Sequence, residues 1–206
     1  MTFPRTILRF GALAAATLLA AGAFAQVIEY ESNGEKYQTL TRRGLTVIIA
    51  HLPVQVAGYG LIQISAANGS DIRWTLKPED FEYVRYGETV AALPAETVVN
   101  TMLDHASTND VVKLITSYER ALYAIPNMRT NNGYESRRQT ALTFGGSAKL
   151  KAAAAASAIT LAQVRLLPGE STDGAIFIRL PKDVKTLSGG HLALHSEGQT
   201  FEFNPD

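Results

Sequence analysis

The spacing of apolar residues changes twice along this chain, and this change limits the available folds more than any other feature. Residues 27–93 and 164–206 contain short apolar runs of strand type, whereas residues 94–163 repeat apolar residues at helical spacing. Because the helical block lies between strand segments, we expect one domain over residues 26–206 with a helical insertion at about 94–163. The predicted fold class is mostly β with a helical insertion (α+β), in which antiparallel strands form a β-sandwich and the insertion emerges from one end.

Turn-forming residues mark the first strands. Asn33 and Gly34 can both adopt positive φ, so the runs on either side of them are predicted to form a β-hairpin. Residues 45–51 are rich in β-branched side chains and are predicted to form a buried strand that ends at Pro53. Another strand is expected over residues 59–67.

The insertion is predicted to contain three helical stretches. Pro94 is favourable in the first turn of the first helix, and residues 107–109 supply capping side chains for the second. The third follows a polar loop, breaks or kinks near Gly145 and resumes through the alanine-rich run 152–162. Because alanine side chains are small, we expect another helix to approach this run closely.

The N-terminus has the features of a secretory signal peptide. Arg5 and Arg9 precede an uncharged apolar stretch, and residues 23–25 form the small-x-small pattern that a signal peptidase cleaves. We therefore expect residues 1–25 to be a cleavable signal peptide and Gln26 to be the first mature residue. The alternative is a retained membrane anchor, but the apolar stretch is shorter than the roughly 20 residues needed to span a bilayer.

The chain contains no cysteine, which excludes disulfides, thiolate metal sites and a cysteine nucleophile. It also excludes the lipid-accepting cysteine of a bacterial lipoprotein. The expected location is therefore the periplasm or the medium outside a bacterial cell.

Removal of residues 1–25 takes away two of the 19 basic residues and none of the 19 acidic ones, which leaves a net charge of −2. This balance favours neither nucleic acid nor an anionic membrane as a partner. The alanine-rich run is too short to cross a bilayer, so we expect no transmembrane segment after cleavage.

Three stretches carry a resemblance to a known group of proteins. They are residues 56–70 (VAGYGLIQISAANGS), 76–81 (LKPEDF) and 167–178 (LPGESTDGAIFI). Their order resembles extracytoplasmic immunoglobulin-like domains, in which a strand ending in Asn leads to a Pro-x-x-Phe strand and a later Pro-Gly-Glu-Ser turn enters a hydrophobic strand. The chain looks closest to uncharacterised exported bacterial proteins with an alanine-rich helical insert. The resemblance covers most of residues 36–204, implies an immunoglobulin-like antiparallel β-sandwich and supplies no catalytic residues.

Two histidines suggest a metal site that the local pattern disfavours. His191 and His195 lie in an alternating, strand-like segment. Four residues along a strand separate them by about 13 Å, which is too far for one ion to join both rings easily. We expect them on a polar outer face, and we expect neither a metal nor a cofactor.

No motif with a catalytic mechanism is present. Asp104, His105 and Ser107 have the residue types of a hydrolytic triad, but adjacent helical residues point about 100° apart. Four acidic residues lie in predicted turns, where we expect them to cap backbone N–H groups or to be exposed to solvent. They are Glu79, Asp80, Glu170 and Asp173.

One segment is strongly basic. Between Pro126 and Lys151 the chain has a net charge of +4. The basic residues are Arg129, Arg137, Arg138, Lys149 and Lys151, set against Glu135 alone. This basic patch is a candidate binding site for an acidic protein, an anionic envelope polymer or lipid headgroups. The alternative is an ordinary solvated helix surface.

The expected function is a non-enzymatic, exported binding or structural module of the bacterial cell envelope. The alternative is an envelope hydrolase, for example one acting on glycans, with a site assembled from residues distant in sequence. An enzyme needs a concave site with converging polar groups, whereas a binding module can present an open surface.

We predict that the mature protein begins at Gln26 and fractionates as soluble protein, because the chain has a cleavage pattern and no lipid-accepting cysteine. Intact-mass spectrometry of the envelope fraction measures the cleavage. Retention of residues 1–25 by protein in the membrane pellet would contradict this prediction.

Overall fold

The computed structural model describes residues 26–126, 132–143, 145–182 and 184–204. The expected signal peptide, residues 1–25, and Arg129 lie outside these residues. The strands are β1 (Ile28–Ser32), β2 (Glu35–Arg42), β3 (Leu45–Val56), β4 (Tyr59–Asn68), β5 (Trp74–Leu76), β6 (Phe81–Arg85), β7 (Glu88–Ala91), β8 (Val164–Leu166), β9 (Ser171–Arg179), β10 (His191–Ser196) and β11 (Gln199–Glu202). The helices are α1 (Ala95–His105), α2 (Thr108–Tyr123), α3 (Tyr134–Thr143) and α4 (Ala148–Ile159).

The strands form two larger sheets and one short pair. The central sheet has the order β1-β2-β3-β4-β9, the second sheet has the order β11-β10-β6-β7, and β5 pairs with β8. All of these pairings are antiparallel. The predicted α+β class with antiparallel sheets is therefore confirmed.

Strands β4 and β9 of the central sheet are buried on both faces because they carry apolar residues at successive positions. Leu61 and Phe177 pack in a core with the helices. Ile62 and Ile176 point to the opposite face and pack with Phe81 and other residues of the second sheet. The described chain therefore has three layers, in the order helices, central sheet and second sheet.

The helical insertion lies over a face of the central sheet, so the expectation that it emerges from one end of a sandwich is wrong. Leu114 and Tyr118 of α2 share a core with Leu61 and Phe177 of the sheet. These two large sheet residues need apolar cover, and the helices supply it. None of the helices in the described ranges is both long and apolar enough to cross a membrane.

The predicted β-hairpin at Asn33 and Gly34 is confirmed. The prediction that a strand ends at Pro53 is wrong. Asn33 and Gly34 have φ values of 52° and 80° and connect β1 to β2. β3 continues through Pro53 to Val56, and its pairing with β4 changes register between Leu52 and Gln55. A register shift at this point accommodates the missing N–H of proline without ending the strand.

The alanine-rich run forms the centre of the insertion. α4 packs against α1, α2 and α3, and five of its alanines are buried: Ala152, Ala153, Ala155, Ala156 and Ala158. Small side chains allow these close approaches, as the composition predicts. α2 begins at a capping interaction, in which Ser107 donates from its N–H and hydroxyl to Asp110 Oδ2 at 2.7 and 2.8 Å.

The end of α4 is joined directly to β9. Leu161 N donates to Ala175 O at 2.9 Å, and Thr160 forms a parallel bridge with Ala175. Gly174 makes this approach possible, because an added Cβ would lie 2.6 Å from Leu161 Cα.

We predict that Gly174→Ala lowers the free energy of unfolding by about 1–3 kcal/mol, because the added methyl group forces the end of α4 away from β9. Gly145→Ala is the control, because no heavy atom lies within 4 Å of its added Cβ; its effect should stay within about 0.5 kcal/mol. Urea unfolding monitored by circular dichroism measures both. Equal midpoints for the two variants would contradict the close packing at Gly174.

Candidate functional site

A polar row crosses the helix-facing side of the central sheet. Gln63 and Ser65 are fully buried, and Asp173 is only 3% exposed. Ser65 and Asp173 are direct partners across β4 and β9, and Gln63 Nε2 donates to Ser65 Oγ at 2.6 Å. Burying a carboxylate is costly unless hydrogen bonds compensate, so the partners of Asp173 define a specific site.

Tyr118 and Asn132 hold Asp173 from the insertion. The hydroxyl of Tyr118 on α2 donates to Asp173 Oδ2, and Asn132 Nδ2 donates to Asp173 O at 2.7 Å. Burial, followed by the nearby negative charge of Asp173, raises the pKa of Tyr118 well above its ordinary value of 10. Tyr118 therefore remains a neutral donor across the physiological pH range.

A second set of tyrosine–carboxylate bonds surrounds this pair. Tyr134 packs edge-on against Tyr118 with ring centroids 5.1 Å apart, and its hydroxyl donates to Glu119 Oε1 at 3.0 Å. Tyr123 donates to Glu135. Burial and its Glu119 bond raise the pKa of Tyr134, while burial and its Glu135 bond raise that of Tyr123 to about 12. These contacts fix α3 against α2.

Arg137 is held by backbone carbonyl groups. Its Nε donates to Ala158 O at 3.2 Å and its Nη1 donates to Asn132 O. Carbonyl oxygens orient a guanidinium but do not neutralise it. These bonds hold the Arg137 guanidinium in the same cleft as the buried Asp173.

Both residues line a cleft of about 580 Å³ between the insertion and the central sheet, which we call the insert–sheet cleft. Its polar lining comes from four separate parts of the chain: Glu96 on α1, Asn132 and Arg137 beside and on α3, Ser157, Thr160 and Gln163 at and after the end of α4, and Thr172 and Asp173 on β9. Among the described residues, the cleft offers one guanidinium, two carboxylates, three hydroxyl groups and two amides for binding.

The predicted basic patch is distributed over different contacts. Arg129 lies outside the described residues. Arg137 lines the insert–sheet cleft, and Arg138 forms an ion pair with a carboxylate on α2. Lys149 Nζ donates to a backbone carbonyl of α1 at 2.6 Å, and Lys151 is exposed. A partner-binding role for Lys149 and Lys151 stays a prediction.

Asp173 is the residue of the candidate site that the sequence expectation placed wrongly. The sequence predicts a solvated turn at this position, but Asp173 lies inside β9 and is buried. Glu170 does serve a turn, because its Oε2 accepts from Leu167 N at 2.8 Å. The one signal for Asp173 is its position directly before the apolar run 174–178, which extends the strand backwards over it.

The other candidate residues lie outside this cleft. His191 and His195 are on strand β10, as the alternating pattern predicts. His195 Nε2 lies 3.6 Å from Glu82 Oε2 on the neighbouring strand. The triad-like residues are at the junction of α1 and α2, where Ser107 serves as a helix cap.

We predict that Tyr118→Phe lowers the free energy of unfolding by about 1–3 kcal/mol, because it removes a hydroxyl donor from a buried carboxylate. Tyr123→Phe is the matched control: Tyr123 is 59% exposed, so the effect should be smaller. Urea unfolding at pH 7 measures both variants.

The same measurement at higher pH tests the raised pKa values. Both folded and unfolded states hold neutral tyrosines below pH 10, so their contribution to stability is fully present there. Above pH 10 the unfolded state ionises first, and stability falls as pH rises towards the folded pKa values. The fall should be shallower in Tyr118→Phe. The buried hydrogen bond between Tyr118 and Asp173 would be contradicted by either of two results. One is a slope of stability against pH in Tyr118→Phe that equals that of the unmodified protein; the other is a loss of stability in Tyr118→Phe no greater than in Tyr123→Phe.

No protein-family model matches this chain, and neither a curated protein nor a solved structure matches it. The chemistry of the insert–sheet cleft therefore rests on its own side chains. Those side chains combine a fixed cation with a buried anion inside a concave site, and this combination is suited to a polar ligand.

Proposed function

We propose that this protein is an exported binding module of the bacterial cell envelope that holds a small polar ligand in the insert–sheet cleft. The supporting observation is the cleft itself. Its volume of about 580 Å³ falls within the range of roughly 300–1,000 Å³ that is typical of ligand sites. Its side chains converge from α1, α3, α4 and β9, and the rigid central sheet positions Asp173.

The charges of the cleft favour a ligand that carries both signs. Arg137 would bind an anionic group, while the exposed carboxylate of Glu96 would bind an amino group. Peptide fragments of the bacterial cell wall carry amino and carboxylate groups on one small molecule. We therefore choose these cell-wall peptide fragments, an envelope component with both anionic and cationic groups, as the ligand class, ahead of a protein or lipid headgroups.

The scaffold and location belong to the same proposal. The central and second sheets pack face to face around an apolar core, and we interpret this pair as an immunoglobulin-like sandwich that carries the insertion. Export to the periplasm or medium is supported by the pattern of residues 1–25.

An envelope hydrolase acting on glycans is the second candidate function. Asp173 and Glu96 line the same cleft, and most glycoside hydrolases use a pair of carboxylates. This arrangement brings together residues that lie far apart in sequence, as that alternative requires.

We predict that Arg137→Gln weakens the binding of soluble muropeptides about tenfold or more, because it removes the guanidinium that lines the cleft. Lys151→Gln is the matched control, since it removes the same charge from an exposed position on α4. Isothermal titration calorimetry with muropeptides from digested cell wall measures both variants.

The controls distinguish binding from catalysis. Circular dichroism confirms that each variant is folded, because Arg137 also bonds two backbone carbonyls. The binding proposal expects muropeptides to remain intact after incubation and amidated, N-acetylated muropeptides to bind weakly. Equal affinity of both ligand forms would contradict it. Glycan cleavage that is lost in Asp173→Asn and Glu96→Gln would establish the hydrolase instead.

A further inference from the structure

A second, smaller cavity lies at the end of the space between the two larger sheets, and we call it the intersheet pocket. Its volume is about 180 Å³. Most of its wall is apolar or aromatic and is formed by Tyr83, Tyr86, Val90, Leu180 and Val184. Three charged residues also line it: Arg85, Glu88 and Arg179. It shares no lining residue with the insert–sheet cleft among the residues that the structure describes.

The β6–β7 hairpin places a cation in this pocket. Tyr86 and Gly87 have φ values of 50° and 81° and form its two-residue turn. This turn sets Arg85 directly opposite Glu88, and both residues line the pocket. The Arg85 guanidinium carbon lies 4.9 Å from the centroid of the Tyr86 ring, so the aromatic face holds it in place.

Arg85 has unused binding capacity. Its Nε is buried and has no hydrogen-bond partner within the described part of the chain. Within the same ranges, no ion pair of 4.0 Å or less joins Arg85 to an acidic residue, including the facing Glu88. A buried donor without an acceptor is unfavourable, so the guanidinium would gain a hydrogen bond by turning towards an anion in the pocket.

The size of the pocket limits its occupant. A volume of about 180 Å³ corresponds to about six water molecules at roughly 30 Å³ each. One ring or short branched chain with a compact head group fills this space. The apolar walls favour a hydrophobic body, and Arg85 favours a carboxylate head that accepts hydrogen bonds from its guanidinium.

We propose that the intersheet pocket binds a small monocarboxylate with an apolar or aromatic body, whose carboxylate contacts Arg85. This site is independent of the insert–sheet cleft and of the function proposed for that cleft. The negative charge of Glu88 repels an anion in the pocket and therefore lowers the affinity of the site for that anion. Loss of Glu88 should therefore strengthen binding, whereas loss of Arg85 should weaken it.

Two probes of the same shape test the proposal. Phenylacetate carries the carboxylate, and phenylacetamide replaces it with a neutral amide. Titration of the ¹⁵N-labelled protein, followed by ¹H–¹⁵N NMR, measures the affinity and locates the site. We expect phenylacetate to shift the amide signals of residues 83–90 and of Arg179, Leu180 and Val184, and to bind about tenfold more tightly than phenylacetamide.

Four variants test whether the carboxylate binds beside Arg85. Arg85→Gln should bind the two probes nearly equally, because Arg179, which also lines the pocket, is held by the ring and hydroxyl of Tyr59. Glu88→Gln, at an exposed turn position, should bind phenylacetate about threefold more tightly. Arg73→Gln removes an exposed positive charge elsewhere and should behave as the unmodified protein does. Arg137→Gln should also leave phenylacetate binding unchanged, which keeps this test separate from that of the insert–sheet cleft.

The opposite results would overturn the proposal. Equal affinity of the unmodified protein for both probes would show that Arg85 does not recognise the carboxylate. Phenylacetate shifts confined to other residues, or none at 20 mM probe, would show that the pocket is not a ligand site. An unchanged affinity in Glu88→Gln would place the bound anion away from the hairpin, even if Arg85→Gln failed to fold.

Discussion

The need to cover both faces of one sheet governs this structure. Strands β3, β4 and β9 carry large apolar residues at successive positions, so neither face of the central sheet can remain in water. The second sheet covers one face and the helical insertion covers the other. Removing the insertion would expose Leu61 and Phe177, and the helices are therefore part of the fold as well as part of the candidate site.

The same burial makes the candidate site specific. Gln63, Ser65 and Asp173 interrupt an otherwise apolar face, where unsatisfied polar groups are expensive. Tyr118 reaches Asp173 only because α2 lies across the sheet. The hydrogen bonds of Asp173 thus depend on the helical layer that covers it. Where that layer leaves a gap above the central sheet, the gap is the insert–sheet cleft.

Local sequence signals predicted local structure well. Asn33-Gly34 marked a hairpin, Pro94 preceded the first helix, and the alanine-rich run became the helix against which the other three described helices pack. These features depend on backbone preferences and on spacing within one element. The four described helices follow β7 and precede β8 in the chain.

Long-range placement was harder to predict. Pro53 does not end β3, because a register shift compensates for its missing donor. Asp173 resembles a turn residue beside Glu170, yet its partners are Ser65 and Tyr118, which lie far away in sequence. Arg137, Arg138 and Lys149 share a segment but not a set of contacts, since spacing along the chain does not specify which helix faces which partner.

The pairing of β4 with β9 has a consequence for how the chain folds. Ser65 and Asp173 are neighbours in the sheet but are 108 positions apart in the chain, with the whole insertion between them. Such non-local pairings close a large loop before they gain any contact, and they are slow to form. Chains in which β9 has not yet docked lack Asp173 at the sheet edge and therefore lack the cleft. A ligand of the cleft would select the fully assembled state and would stabilise the last stage of folding by mass action.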